Sequence, residues 1–100
     1  MTDFLDSEIQ IIWEKAKIVK GYHPDVWRKD QCGAWINRES YGDRQSEYGW
    51  ECDHITPTSK GGSDWLFNIR PLHWKNNASR QDGKLITAVT ALGPQNVEVK

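Results

Sequence analysis

Two β-prone segments, separated by a proline and a glycine pair, constrain the fold of this chain more than any other feature. In residues 48–55, Tyr, Trp and Cys alternate with Gly, Glu and Asp, which is typical of a strand with one buried face. Pro57 ends this segment, and Gly61-Gly62 allows the following loop to reverse direction. Residues 66–72 then supply a second apolar segment of strand length. The pattern predicts a hairpin with a long loop, followed by a short helix.

An N-terminal helix is predicted by a second pattern. Ser7-Glu8-Ile9-Gln10 has the form of a capping box, with Ser7 as the N-cap, and Gly21 provides a stop. Between these signals, apolar residues recur at helical spacing: Ile9, Ile12, Trp13, Ala16 and Val19. We therefore expect an amphipathic scaffold helix over about residues 8–20.

The flanks of the hairpin are expected to be short and mostly extended. An extended piece is predicted over residues 26–29, and residues 32–49 are rich in turn-forming residues. Residues 85–99 fit both a strand, because of their β-branched residues, and one face of a helix; we favour strand. The short helix after the hairpin should cover residues 74–81. The expected fold is α+β, with an N-terminal helix and a small β-rich flank in a single domain over residues 1–100.

Composition agrees with one small domain. A chain of 100 residues can bury a modest core, and its six Trp, three Tyr and two Phe should supply much of the buried area. It has no run of about 18 apolar residues, and its N-terminus lacks both a basic flank and an apolar stretch. We therefore expect no membrane partner and a cytoplasmic location.

The net charge of −1 neither favours nor excludes a nucleic-acid partner. Basic residues are concentrated in two places, the first third of the chain and the flanks of the second strand: Lys15, Lys17, Lys20, Arg28 and Lys29, and then Arg70, Lys75, Arg80 and Lys84. Ordinary solvated faces would look the same, so the charge pattern leaves the question open.

Polar residues at the end of the first predicted strand supply the groups for phosphodiester hydrolysis. A neutral histidine such as His54 can take a proton from water near pH 7. The adjacent Asp53 can hold a hard divalent cation through oxygen, and Asn77 offers a second oxygen ligand. The alternatives are a structural histidine, a loop-capping aspartate and a helix-start asparagine that bonds local backbone. Asn76 competes with Asn77 for the ligand role.

These residues resemble the motif of the HNH endonuclease family. That motif reads Asp-His-Ile-x-Pro-x-Ser-x-Gly-Gly-x-Asp, then an Asn-hydrophobic pair, then a third His or Asn. Here it runs from Asp53 to Asp64, continues with Asn68-Ile69 and ends at Asn77. The resemblance implies the His-Asn-Asn variant of a ββα-metal domain over about residues 48–81. Asparagine in the third position suits magnesium or manganese better than zinc.

The resemblance also implies a role for each motif residue. His54 would be the general base, Asp53 and Asn77 would hold one Mg²⁺ or Mn²⁺ ion, and Asn68 would hold the loop and orient the imidazole. Because they bracket the motif or lie in its loop, five further residues are candidate DNA contacts: Ser59, Lys60, Arg70, His73 and Lys75.

Many HNH proteins carry two cysteine pairs that bind a structural zinc ion. In this chain the corresponding segments are Cys32-Gly33-Ala34-Trp35 and His73-Trp74-Lys75-Asn76, which retain Cys32 and His73 as the possible ligands. We expect no structural zinc, with Trp35 and Trp74 filling its place by apolar packing. Cys32 and Cys52 are expected to be free thiols.

The expected function is a divalent-metal-dependent DNA endonuclease that nicks one strand per site, acts as a monomer or homodimer and needs no small-molecule cofactor. One alternative is a catalytically weak HNH-fold module that only binds DNA. Binding alone would not require the Asp53-His54 pair, which argues against this alternative. A second alternative is a metal-stabilised structural domain, and the missing cysteine pairs argue against it.

Overall fold

The structure is a computed structural model that describes residues 3–81 and 83–100. It is a mixed α+β fold, as expected, in which six short strands pair into three antiparallel two-stranded sheets. In chain order the elements are α1 Asp6–Trp13, β1 Trp27–Lys29, β2 Trp35–Asn37, β3 Trp50–His54, β4 Ile69–His73, α2 Trp74–Ala78, β5 Val89–Leu92 and β6 Gln95–Glu98. The sheets are β1–β2, β3–β4 and β5–β6, so strand is confirmed for the C-terminal segment.

The predicted hairpin is present as β3 and β4, and α2 begins directly after β4. The register pairs Trp50 with His73 and His54 with Ile69. The return strand starts at Ile69 rather than at residue 66, because Leu66–Asn68 form a 3-10 turn. The helix ends at Ala78 rather than at residue 81. The outcome is a strand–loop–strand–helix unit, with α2 packed on both strands.

The main core lies between α1 and the β3–β4 hairpin. Trp13 and Trp50 are fully buried, with ring centroids 5.2 Å apart. Ile12, Ile36 and Ile69 complete the centre of this core. Three tryptophans, Trp13, Trp35 and Trp50, are buried, whereas Trp65 and Phe67 are exposed, so part of the aromatic content lies outside the core.

The predicted bounds of the N-terminal helix were wrong. α1 covers Asp6–Trp13 instead of residues 8–20, and its N-cap is Leu5, whose N–H donates to the Glu8 carboxylate at 2.9 Å. After Trp13 the chain leaves the helix, and tertiary contacts bind the carbonyls of the segment that follows. The Arg28 guanidinium donates to the carbonyls of Glu14 and Ala16, and Lys17 pairs with Lys29. Within the described residues, no helix is long and apolar enough to cross a membrane.

A buried carboxylate joins the loop after β1 to the start of α2. Asp30 Oδ1 accepts the N–H groups of Cys32 and Ala34 at 3.0 and 2.9 Å. Asp30 Oδ2 accepts the N–H of His73 at 2.9 Å and the Asn76 side chain at 3.0 Å. Because both carboxylate oxygens are used and the group is buried, Asp30 fixes these two segments relative to each other.

Asn76 extends this connection to the C-terminal hairpin. Its amide nitrogen also donates to the Val89 carbonyl at 3.1 Å, and its amide oxygen accepts the N–H groups of Ala88 and Val89 at 2.8 and 2.9 Å. The segments that the resemblance compares with a zinc site are thus joined by polar bonds through Asp30. Trp35 contacts the rings of Tyr22 and Trp27, and Trp74 stacks on His73, so no apolar packing of Trp35 on Trp74 is seen in the described residues. Cys32 and Cys52 are free thiols, as expected.

Asn76→Ala should lower the free energy of unfolding by about 3–5 kcal/mol, because it leaves several buried donors and acceptors without partners. The matched control is Asn77→Ala on the same helix, which should cost less than about 1 kcal/mol. Urea denaturation of the three proteins measures both changes. Equal losses for the two variants would contradict the central place of Asn76 in the fold.

Candidate functional site

Two acidic side chains of β3 face α2 and the turn that follows it. Asn77 Nδ2 donates to Glu51 Oε1 at 2.8 Å, and Arg80 Nη1 donates to Asp53 Oδ1 at 2.7 Å. Residues two apart on a strand share a face, and residues three apart on a helical turn are neighbours. The strand and helix periods therefore place Glu51 against Asn77 and Asp53 against Arg80, as two neighbouring pairs along β3.

Asp53, the predicted metal ligand, is held by two arginines. Its second oxygen accepts Arg70 Nε at 2.7 Å, opposite the bond from Arg80. Asp53 is 5% exposed, and the two guanidinium groups are largely buried with it. Arg80 also donates to the carbonyls of His54, Ile55 and Gly83 and so braces the end of β3. A buried ion group of this kind depends on all its members, because removal of one leaves an uncompensated charge.

Glu51 is the second carboxylate of the cluster. Arg44 binds it with two parallel hydrogen bonds at 2.7 and 2.9 Å. The bond from Arg44 lowers the pKa of Glu51 below its usual value, with a smaller contribution from Asn77, so Glu51 is ionised at neutral pH. A cavity of about 570 Å³ opens beside these residues, and Phe4 and Tyr41 contribute to its wall. The cavity is open enough to admit a ligand to Glu51 and Asn77.

The His54 side chain belongs to a different set of contacts from that of Asp53. Its Nε2 lies 2.7 Å from Asp64 Oδ1, and its ring lies 6.4 Å from that of Phe4, centroid to centroid. Adjacent strand residues point to opposite faces, which explains the separation. A carboxylate on one ring nitrogen fixes the orientation of the imidazole and leaves Nδ1 as the proton acceptor.

Asn68 ties the long loop to itself. Its side chain accepts the N–H of Thr56 at 2.9 Å and donates to the carbonyls of Thr56 and Ser63 at 3.1 and 2.8 Å. Its carbonyl also accepts the N–H of Ile55 at 2.7 Å. These bonds close the loop that runs from His54 to Asp64, which keeps the two members of the His–Asp pair together.

The five candidate DNA contacts have different environments. His73 is buried, and both its ring nitrogens are used: Nδ1 accepts the N–H of Lys75 at 3.0 Å, and Nε2 bonds the Glu47 carbonyl at 2.7 Å. It therefore caps α2, and no ring nitrogen is left to meet a phosphate. Lys75 pairs with Glu98 at 3.3 Å at an exposed position. Ser59 and Lys60 lie in an exposed 3-10 turn, and Arg70 is engaged with Asp53.

Sequence reasoning gave no site role to Arg44, Asp64 or Arg80. Arg80 follows Asn77 by three residues, and helical spacing could have placed both on one face. Asp64 lies inside the quoted motif, ten residues from its partner. No sequence signal predicted the contact of Arg44 with Glu51, because the path of the turns between the two residues determines whether their side chains meet.

The chain was compared with protein-family models, with curated proteins and with solved structures, and nothing matches. In the described part of the chain, no three residues among His, Cys, Asp and Glu form a metal-binding group. Of the oxygen-bearing side chains discussed above, Glu51 and Asp53 lie two residues apart on β3, and Asn77 bonds Glu51.

The stability of the protein should fall as the pH drops below about 6.5, with a contribution from His73. Burial lowers the pKa of His73 below its usual value, so the unfolded chain takes up this proton at a higher pH than the folded chain does. The contribution of neutral His73 to stability is therefore complete above the pKa that His73 has in the unfolded chain. It is lost as the pH falls through the lower pKa that His73 has in the folded protein. Thermal melts between pH 8 and pH 5 measure this loss.

His73→Asn is the matched variant, because asparagine can cap the helix without titrating. It should be about 1–3 kcal/mol less stable at pH 8, since the bond to Glu47 is lost, and less sensitive to acid. Subtracting its pH profile from that of the wild type isolates His73 from His23 and His54. If the stability of the wild type and of His73→Asn fell in parallel with pH, His73 would not contribute to the acid sensitivity.

Proposed function

We propose that this protein is a divalent-metal-dependent DNA endonuclease of the HNH type, with residues 50–78 as its ββα-metal core. The observation that carries the proposal is that β3 holds Glu51, which is bonded to Asn77 of the helix, and Asp53, with the His54–Asp64 pair at the end of the same strand. One strand thus carries oxygen ligands and, on its other face, an oriented histidine. Hydrolysis of a phosphodiester needs both groups.

The donor set fits a hard cation. Asp53 and Asn77 would hold one Mg²⁺ or Mn²⁺ ion, with Glu51 as a direct or water-mediated neighbour, because all three offer oxygen. When bound, the ion would neutralise charge on the phosphate and on the leaving oxygen. Asp53 must share an oxygen with the ion, so Arg70 or Arg80 would have to give up one of its bonds.

His54 acts in this proposal as the general base. Asp64 accepts the Nε2–H, so Nδ1 carries the lone pair that takes a proton from the attacking water. The imidazolium that forms is stabilised by the same carboxylate. Asn68 closes the intervening loop and so holds the base and its partner at a fixed distance.

The charges at the proposed site balance in the free protein. Arg44, Arg70 and Arg80 face Glu51 and Asp53, and Asp3 lines the cavity beside Glu51. A bound divalent cation would therefore supply the excess positive charge that a phosphate needs at this position.

A DNA-binding module without turnover is the second candidate function. The observation in its favour is that arginines already bind both oxygens of Asp53. If this arrangement persists with DNA bound, the arginines would contact phosphate and no cation would enter. DNA binding would then be independent of divalent metal.

Relaxation of a supercoiled plasmid in Mg²⁺, Mn²⁺ or EDTA tests the proposed nuclease. We expect metal-dependent open circles, because one site cuts one strand. His54→Ala should slow nicking by about 10²–10⁴-fold, the usual contribution of a general base. Asn77→Ala should raise the metal concentration needed for half-maximal rate.

The matched control is His23→Ala, which removes an exposed histidine outside the site and should nick like the wild type. Circular dichroism checks that each variant is folded. Equal rates for the His54 and His23 variants would refute the role of His54. DNA binding by a folded protein that cuts in neither metal would support the binding module instead.

A further inference from the structure

Two aromatic side chains project from the loop before β4. Trp65 is 71% exposed and Phe67 is 76% exposed. Their rings are nearly parallel, with an interplanar angle of 29° and centroids 6.5 Å apart. Burying either ring against the protein would be favourable, so a paired exposed arrangement next to a candidate site indicates a binding surface.

The turn that carries this aromatic pair is anchored. Lys15 Nζ, which reaches it from the segment after α1, donates to the carbonyls of Leu66 and Ile69, the latter at 2.8 Å. Desolvation lowers the pKa of Lys15 below its usual value. The N–H of Asn68 also donates to the Trp65 carbonyl at 2.8 Å. The two rings are thus mounted on a fixed backbone, which reduces the entropy lost when a ligand binds.

The aromatic pair adjoins the proposed catalytic groups. Trp65 directly follows Asp64, the partner of His54. On the other side, Phe67 and Ile55 line a cavity of about 550 Å³ together with three cationic residues: Lys15, Lys17 and Arg70. The cations lie on the Phe67 side of the pair, whereas Trp65 lines a cleft with Glu8 and Asp64. A flat ring beside cations matches the two parts of a nucleotide, since bases stack on aromatic faces and phosphates need positive charge.

We propose that Trp65 and Phe67 form a stacking platform for the bases of single-stranded DNA, with Lys17 and Arg70 alongside its phosphates. The inference rests on the proposed function, which it narrows to unpaired DNA. In a duplex, each base face is covered by its neighbours, so solvent-exposed rings can stack only where the DNA is unpaired or frayed. The strand would run past Asp64 and present a phosphodiester near His54.

Binding of a fluorescently labelled 12-nucleotide thymidine strand, followed by anisotropy in EDTA, tests the platform without requiring cleavage. Trp65→Ala and Phe67→Ala should each weaken binding by roughly 5- to 150-fold, the usual loss for one stacked base. Trp65→Phe should restore much of it. Leu92→Ala is the matched control, because Leu92 is 68% exposed on β5 and should leave the affinity unchanged.

An abasic strand of the same length separates stacking from charge. It should bind the wild type weakly and should be insensitive to both aromatic substitutions. Unchanged affinity in Trp65→Ala/Phe67→Ala, or equal weakening for the abasic strand, would overturn the platform. The platform would also be overturned if the double variant bound DNA like the wild type but no longer self-associated in sedimentation experiments. The two rings would then form a contact with a second copy of the chain.

Failure of the platform and failure of the nuclease are distinguishable. Plasmid nicking that persists when binding is insensitive to the aromatic residues would overturn the platform and leave the nuclease intact. Aromatic-dependent binding of single strands by a protein that never cuts would support the platform and overturn the nuclease. Preferential cleavage of single-stranded over duplex DNA, lost in the double variant, is the result expected if both are right.

Discussion

The structure depends on the buried hydrogen bonds between Asp30 and Asn76. A helix of five residues is far too short to be stable by itself, so α2 must be held by tertiary contacts. Asp30 binds the backbone at its start, and Asn76 binds both Asp30 and the backbone of β5. Because both groups are fully or almost fully buried, their bonds form in a low-dielectric setting where an unmade bond is costly. These buried hydrogen bonds therefore hold α2 in place, a role that a small apolar core would otherwise fill.

This connection also determines what the next residues can reach. With Asn76 turned inward, Asn77 and Arg80 lie toward Glu51 and Asp53. Every hydrogen-bonding group of the Asn76 amide is already used, so Asn77 is the asparagine that remains available to the proposed site. The neighbour that supports the fold leaves Asn77 to take part in the site.

Local signals predicted the elements better than their ends. Alternation and the Pro57 break gave the β3–β4 hairpin, and helical spacing correctly placed Ile12 and Trp13 in the core. The end of α1 could not be predicted, because the guanidinium that binds the carbonyls just after the helix comes from Arg28, in a later strand. The partners of Asp53 could not be predicted for the same reason. A motif specifies the order of residues along the chain, but it does not specify which distant charged side chains fold onto them.

The pairing of Asp53 with two arginines has a consequence for how the proposed site would assemble. A cation that takes one oxygen of Asp53 must displace Arg70 or Arg80, and the displaced guanidinium would then be free to bind a phosphate oxygen. Ion and phosphate would thus favour each other's binding, and linkage requires this coupling to be reciprocal. Without DNA, the arginines compensate the buried carboxylate and keep the site intact. The same ion group would serve the fold in the free protein and the substrate in the complex.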